Sequence, residues 1–220
     1  MGPKTLDHVA YWIEGRDTIA AFLEQHVGMH VIDQQDAFTL IGSDARRGKL
    51  TLFDPRDGAP AGSTSLCHVG LRVSDLAAAR AQLPEGTPEV FDAGSGLMLT
   101  LVEGATDVEY DLDHVALWSP SPEETAAEYE LFGFQRVGPA RVEVGGAFIE
   151  FHEGAGEGAP ILNHLALLVD SADEVVVEAQ ELGIEVESVV DAANTYAAFL
   201  WGPERVRIEY VEHKPTFSLT

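Results

Sequence analysis

Four copies of one short pattern constrain this 220-residue chain more than any other feature. Leu6-Asp7-His8-Val9-Ala10, Leu66-Cys67-His68-Val69-Gly70, Leu112-Asp113-His114-Val115-Ala116 and Leu162-Asn163-His164-Leu165-Ala166 share a Leu, a variable residue, a His, a branched aliphatic and a small residue. The histidines stand 60, 46 and 50 residues apart. That spacing is too long for solenoid stacking of short units and suits a module of a few elements, so the chain reads as four modules.

Each module opens on a strand, judged by its apolar run and small residues. Amphipathic segments follow at 17–27, 75–83, 123–132 and 172–182, preceded by capping-type residues at Asp17, Asp75, Ser121 and Ser171. Gly28, Gly133 and Gly183 stand where three of them should stop, which predicts helices. Short β-prone stretches come next, such as 29–33, 38–41 and 49–53 in the first module. The expected fold class is therefore α+β, four βαβββ modules.

The last strands align as Thr51-Leu52-Phe53-Asp54, Thr100-Leu101-Val102-Glu103, Glu150-Phe151-His152-Glu153 and Glu209-Tyr210-Val211-Glu212. Side chains alternate along a strand, so the four closing acids share a face that reads as a solvated edge. The opening positions differ between the halves: Glu150 and Glu209 in the C-terminal half, Thr51 and Thr100 in the N-terminal half. Imidazole with carboxylate suits a divalent cation, and a carboxylate inside an apolar strand is costly without one. His114, Glu150, His164 and Glu209 are thus the candidate metal ligands, whereas His8 and His68 read as ordinary strand histidines.

Composition narrows the partners. A formal charge of -24 repels phosphate backbones and anionic headgroups, which excludes nucleic acid and membrane surfaces as partners. The single Cys67 has no partner in the chain, reads as a buried thiol and lies on the strand face opposite His68. With no apolar leader and no membrane-length apolar run, the expectation is a soluble cytoplasmic protein, with a homodimer as a prior. Gly42 to Lys49 lacks the spacing and the Ser or Thr of a phosphate loop.

The modules opening with Leu-x-His-Val-Ala resemble the vicinal oxygen chelate superfamily, which includes glyoxalase I, extradiol dioxygenases and metal-free bleomycin-binding proteins. The resemblance implies two half-open barrels of paired modules, one spanning 1–107 and the other, metal-bearing, spanning 108–220. It also implies a divalent metal, Fe(II), Zn, Ni, Mn or Co, and a small oxygenated substrate. The stretch Phe199 to Glu209 resembles the closing motif of extradiol dioxygenases, with Phe199, Gly202 and Arg205 departing from it. A His, Glu, His, Glu set is more similar to glyoxalase I and implies proton transfer, isomerase or lyase chemistry. Extradiol cleavage and metal-free ligand binding remain the alternatives. Glu150, His152 and Tyr196 are the candidate catalytic residues, and Phe148, Phe199 and Trp201 the candidate substrate wall.

Overall fold

The structure is a computed structural model that describes residues 1–55 and 62–219. The first module comprises β1 (Thr5–Trp12), α1 (Arg16–Phe22), β2 (His30–Gln34), β3 (Phe38–Asp44) and β4 (Arg47–Phe53). The second comprises β5 (Leu66–Val73), α2 (Leu76–Gln82), β6 (Val90–Asp92) and β7 (Met98–Glu103), one strand fewer than expected. In the third come β8 (Asp111–Ser119), α3 (Pro122–Tyr129), β9 (Gln135–Gly138), β10 (Arg141–Val144) and β11 (Ala147–Glu153). The fourth holds β12 (Leu162–Leu168), α4 (Ala172–Glu181), β13 (Val186–Asp191), β14 (Thr195–Trp201) and β15 (Arg207–His213).

Two of the four helices carry the expected side-chain cap, whereas α1 begins after Gly15 without one and Ser121 makes no capping hydrogen bond at α3. Asp75 and Ser171 accept the backbone N–H groups of Ala78 and Glu174, and the first, third and fourth helical segments end at Gly28, Gly133 and Gly183 in left-handed backbone. Of the closing acids, Glu103 and Glu153 are exposed, whereas Asp54 and Glu212 are half-buried. Glu212 is held because it accepts the Ala172 N–H at the start of α4. No helix among the described residues is long and apolar enough to cross a membrane.

Modules pair as expected, but with different partners. One eight-stranded sheet runs β13-β14-β15-β12-β1-β4-β3-β2, and one seven-stranded sheet runs β6-β7-β5-β8-β11-β10-β9. The first module is therefore joined to the fourth through the antiparallel β1/β12 seam, and the second to the third through β5/β8. Strands do not divide at 107/108. The physical reason lies in the repeat itself: all four modules present nearly the same opening strand as an edge, so the pattern specifies that edges pair but not which ones.

Inside each module the opening strand runs parallel to the last one, β1 to β4, β5 to β7, β8 to β11 and β12 to β15. One face of these central strands feeds a continuous core that includes Tyr11, Leu50, Leu71, Val115, Tyr129 and Tyr210. Fully burying such side chains contributes about 1.5–3 kcal/mol each. The Tyr210 hydroxyl donates to the Phe132 carbonyl at 2.7 Å, so its polar end is satisfied within the core.

At each seam the pairing register slips at the variable residue of the Leu-x-His pattern. Asp7 and Asn163 have no pairing partner in the β1/β12 register, nor do Cys67 and Asp113 in β5/β8. A bulge re-aims the side chain it carries. Here it turns the variable residue toward the histidine that follows: Asp7, Asp113 and Asn163 reach His Nδ1 at 2.7, 2.8 and 2.8 Å, and Cys67 Sγ lies 3.4 Å from His68 Nδ1. Cys67 is accordingly half-buried beside His68 and does not sit on the opposite face.

Candidate metal centres

The four residues expected to form one site fall into two. His164 and Glu209 meet His8 across the β1/β12 seam, and His114 and Glu150 meet His68 across β5/β8. Both N-terminal histidines offer a ring nitrogen, each completing a group of two His and one Glu that could hold a metal ion. The carboxylate absent from their own half is supplied by the module they pair with.

In the first cluster, His8 Nε2 lies 3.1 Å from His164 Nε2, and Glu209 Oε2 lies 2.9 Å from His164 and 3.3 Å from His8. Donors bound to one ion at about 2.0–2.2 Å stand roughly 3.0–3.5 Å apart, so this triangle fits a first-row divalent cation. Each Nδ1–H is committed to Asp7 or Asn163, which turns both Nε2 atoms inward. Burial opposes charge on His8, yet its hydrogen bonds to Asp7 and Glu209 prevail and raise it to about 9. Burial lowers His164 despite the adjacent Glu209. Burial also opposes ionisation of Glu209, but the two histidines hold it well below the usual carboxylate range.

Behind His8 lies a buried charge network. Asp7 accepts from Lys49 Nζ at 2.8 Å, and His213 Nε2 stands 3.1 Å from its other oxygen. Asp7 and Lys49 are 1% and 3% exposed. Burial works against the Asp7 carboxylate, but Lys49, His213 and His8 keep it far below its ordinary value.

The cluster opens on a cavity of about 480 Å³ walled by Trp12, Phe38, Phe53, Phe199, Val211 and Phe217. Thr51, also on its wall, occupies the position that Glu150 holds in the third module, and its buried Oγ1 has no hydrogen-bond partner. Three protein donors, an unpartnered hydroxyl and a volume suited to a small molecule therefore converge at one place.

The second cluster has the same frame, with His68 Nε2 and His114 Nε2 3.1 Å apart. The ring of His114 lies where a Cβ on Gly70 would come within 2.3 Å, so only glycine fits there. Glu150 is more engaged than Glu209: Arg141 donates to Oε2 at 3.2 Å and His152 meets Oε1 at 3.0 Å. Burial opposes its ionisation, but Arg141, His114 and His152 keep it below the usual range. Burial, with His114 nearby, lowers His68.

Of the other expected site residues, Phe199 lines the cavity with its ring 5.4 Å from His164. Phe148 belongs instead to the second cluster, stacked on His114 at 5.0 Å. Tyr196 is not at either centre, because its hydroxyl donates to Asp173 of α4 at 2.9 Å and its ring packs on the core. Trp201 lies beneath Arg205, 5.1 Å from its guanidinium, and is outside the cavity wall. Sequence reasoning missed His8, His68, Thr51, Lys49 and His213. The signal for the histidines was present: the variable residue before each repeat His, namely Asp7, Cys67, Asp113 or Asn163, offers its side chain to Nδ1 in every module.

The chain matches the Glyoxalase/Bleomycin resistance protein/Dioxygenase superfamily over residues 5–210 and belongs to it. Among solved structures it is similar to a Bacillus subtilis protein described as a "putative dioxygenase", with a TM-score of 0.78, 17% identity and coverage of 98% of this chain and 87% of that one. It is also similar to glyoxalase I from Zea mays, with a TM-score of 0.69, 15% identity and coverage of 94% and 92%. The cppA protein from Streptococcus pneumoniae superposes with a TM-score of 0.65, 12% identity and coverage of 96% and 98%. At these identities the likeness shows the fold. No curated protein sequence matches the chain.

Proposed function

We propose that the chain is a metal-dependent enzyme of dioxygenase type, acting at the His8, His164, Glu209 centre on a small, largely apolar substrate that presents two vicinal oxygens. The observation that carries this reading is the donor count: two His and one Glu on one side, with the remaining directions opening on the cavity. That arrangement suits non-haem Fe(II), whereas a fourth protein carboxylate, as in the glyoxalase-type set, has no counterpart because its position is Thr51. Bound there, Fe(II) would polarise the substrate oxygens and supply the redox-active centre that O₂ chemistry needs.

The protein's own groups divide the remaining work. Asp7 and Asn163 fix the His8 and His164 rings, so the donors are set before substrate arrives. Thr51 Oγ1 offers a hydrogen bond to one substrate oxygen. Trp12, Phe53 and Phe199 hold an apolar body and exclude water. His213, on the cavity wall and steadied by Asp7, is placed to take and return a hydroxyl proton.

The test is O₂ uptake by protein loaded anaerobically with Fe(II) and given catechol or alkyl-substituted catechols. Uptake with a coloured ring-fission product, abolished in His164→Ala, supports the reading. Isomerisation of a 2-oxoaldehyde hemithioacetal by Zn- or Ni-loaded protein without O₂ uptake would replace it with the glyoxalase type. Ligand binding without any metal uptake would replace it with the binding protein.

A further inference from the structure

The two clusters differ in one residue that matters for what each can do. In the first module, β4 pairs with β1 so that Thr51 lies beside Ala10 and Phe53 beside Trp12. In the third, β11 pairs with β8 so that Glu150 lies beside Ala116 and His152 beside Trp118. A hydroxyl and an aromatic wall in one cluster thus correspond to two metal-binding side chains in the other.

We infer that His152 joins His68, His114 and Glu150 in a closed, four-donor structural metal site that ties the second module to the third. Alternation places Glu150 and His152 on one face of β11, and His152 Nε2 already stands 3.0 Å from Glu150 Oε1, the spacing of two donors on one ion. His68 and His114 supply a second such edge at 3.1 Å. The His68 and His114 rings are 5.2 Å apart between centroids, whereas His68 and His152 are 6.4 Å apart, so His152 closes the site by swinging inward. Its side chain is 42% exposed, so burial does not oppose that rotation.

The surroundings hold Glu150 and His114 in place. Arg141 lies over Phe148 at 3.7 Å and holds Glu150 Oε2, which leaves Oε1 as a single donor. Phe148 is stacked nearly flat on His114, and Asp113, itself bound by Arg72 Nε at 2.8 Å, takes the His114 Nδ1–H. Four His and carboxylate donors around Zn(II) make a closed site, whereas three with open directions make a reactive one. The ion would fasten β11 of the third module to β5 of the second across β8.

Full-length protein stripped with a chelator and titrated with Co(II) tests this separately from the proposed activity, because a tetrahedral Co(II) centre absorbs visible light far more strongly than a five- or six-coordinate one. The expected result is two equivalents, one intensely coloured and one weakly. His152→Ala should remove the intense bands, weaken that equivalent by roughly tenfold or more and remove its contribution to the melting temperature. Glu150→Gln should do the same, while His164→Ala should remove only the weakly absorbing equivalent. The inference is overturned if the intense bands survive His152→Ala, if His164→Ala abolishes them, or if the wild type takes up a single equivalent that His164→Ala eliminates.

Discussion

Replacing Asp7 with Asn should be a strongly destabilising isosteric change. Asp7 is 1% exposed and faces three cationic or potentially cationic groups, Lys49 Nζ at 2.8 Å, His8 Nδ1 at 2.7 Å and His213 Nε2 at 3.1 Å. Lys49 is itself 3% exposed and has one further partner, the Ala45 carbonyl at 2.9 Å. Removing the carboxylate charge strands a buried ammonium, which costs about 3–5 kcal/mol. At roughly 2–4 °C per kcal/mol for a chain of this size, the melting temperature should fall by about 6–20 °C. The assay is thermal unfolding of chelator-treated protein at pH 7, so that metal binding does not contribute. Lys49→Met in the Asp7→Asn background removes the stranded charge and should restore much of the loss. If Asp7→Asn melts within about 2 °C of the wild type, or if the double variant is less stable than the single one, the buried pair does not carry the strain assigned to it.

Three further outcomes follow from the same geometry. Thr51→Glu adds a carboxylate to the open side of the first cluster, and should raise metal affinity in a Co(II) titration while lowering kcat by roughly tenfold or more as a free position is lost. Gly70→Ala brings a Cβ within 2.3 Å of the His114 ring and should abolish metal uptake by the second cluster while His164-dependent uptake persists, read by metal content of the two-equivalent protein. In metal-free protein, Asp7 and Glu209 ionise below their ordinary values of 3.8 and 4.5, so their contribution is complete above about pH 5 and is lost on acidification. His8, raised from 6.5 to about 9, contributes fully below its unfolded value and loses that contribution as pH rises through about 9. The melting temperature without metal should therefore peak near pH 5 to 6.5, and His8→Gln should flatten the alkaline limb.

The module pattern was legible because it rests on local chemistry. Capping residues at Asp75 and Ser171, glycines at Gly28, Gly133 and Gly183, and the alternation of the opening strands all report on their own segment. Glu150 and Glu209 stood out for the same reason, since each interrupts an apolar strand, although only Glu209 is buried and Glu150 is half-buried. Partner choice between modules was not legible. It depends on which of four near-identical edges meet, and Leu-x-His reads alike at all of them. That ambiguity also set His8 and His68 aside, since assigning both glutamates to a single site left them without a carboxylate. Tyr196 and Trp201 lie away from both clusters for a different reason: alternation relates faces along one strand but does not tell which neighbour an aromatic meets, here Asp173 and Arg205.

The proposed reactive centre is assembled across the first and fourth modules, with His8 as a ligand. The direct measurement is metal content and turnover of His8→Ala beside His114→Ala, both loaded anaerobically with Fe(II). His8→Ala should lose one equivalent and all turnover, while His114→Ala should lose the other equivalent and retain turnover. Full activity in His8→Ala, or its loss in His114→Ala with the first centre still filled, would contradict it.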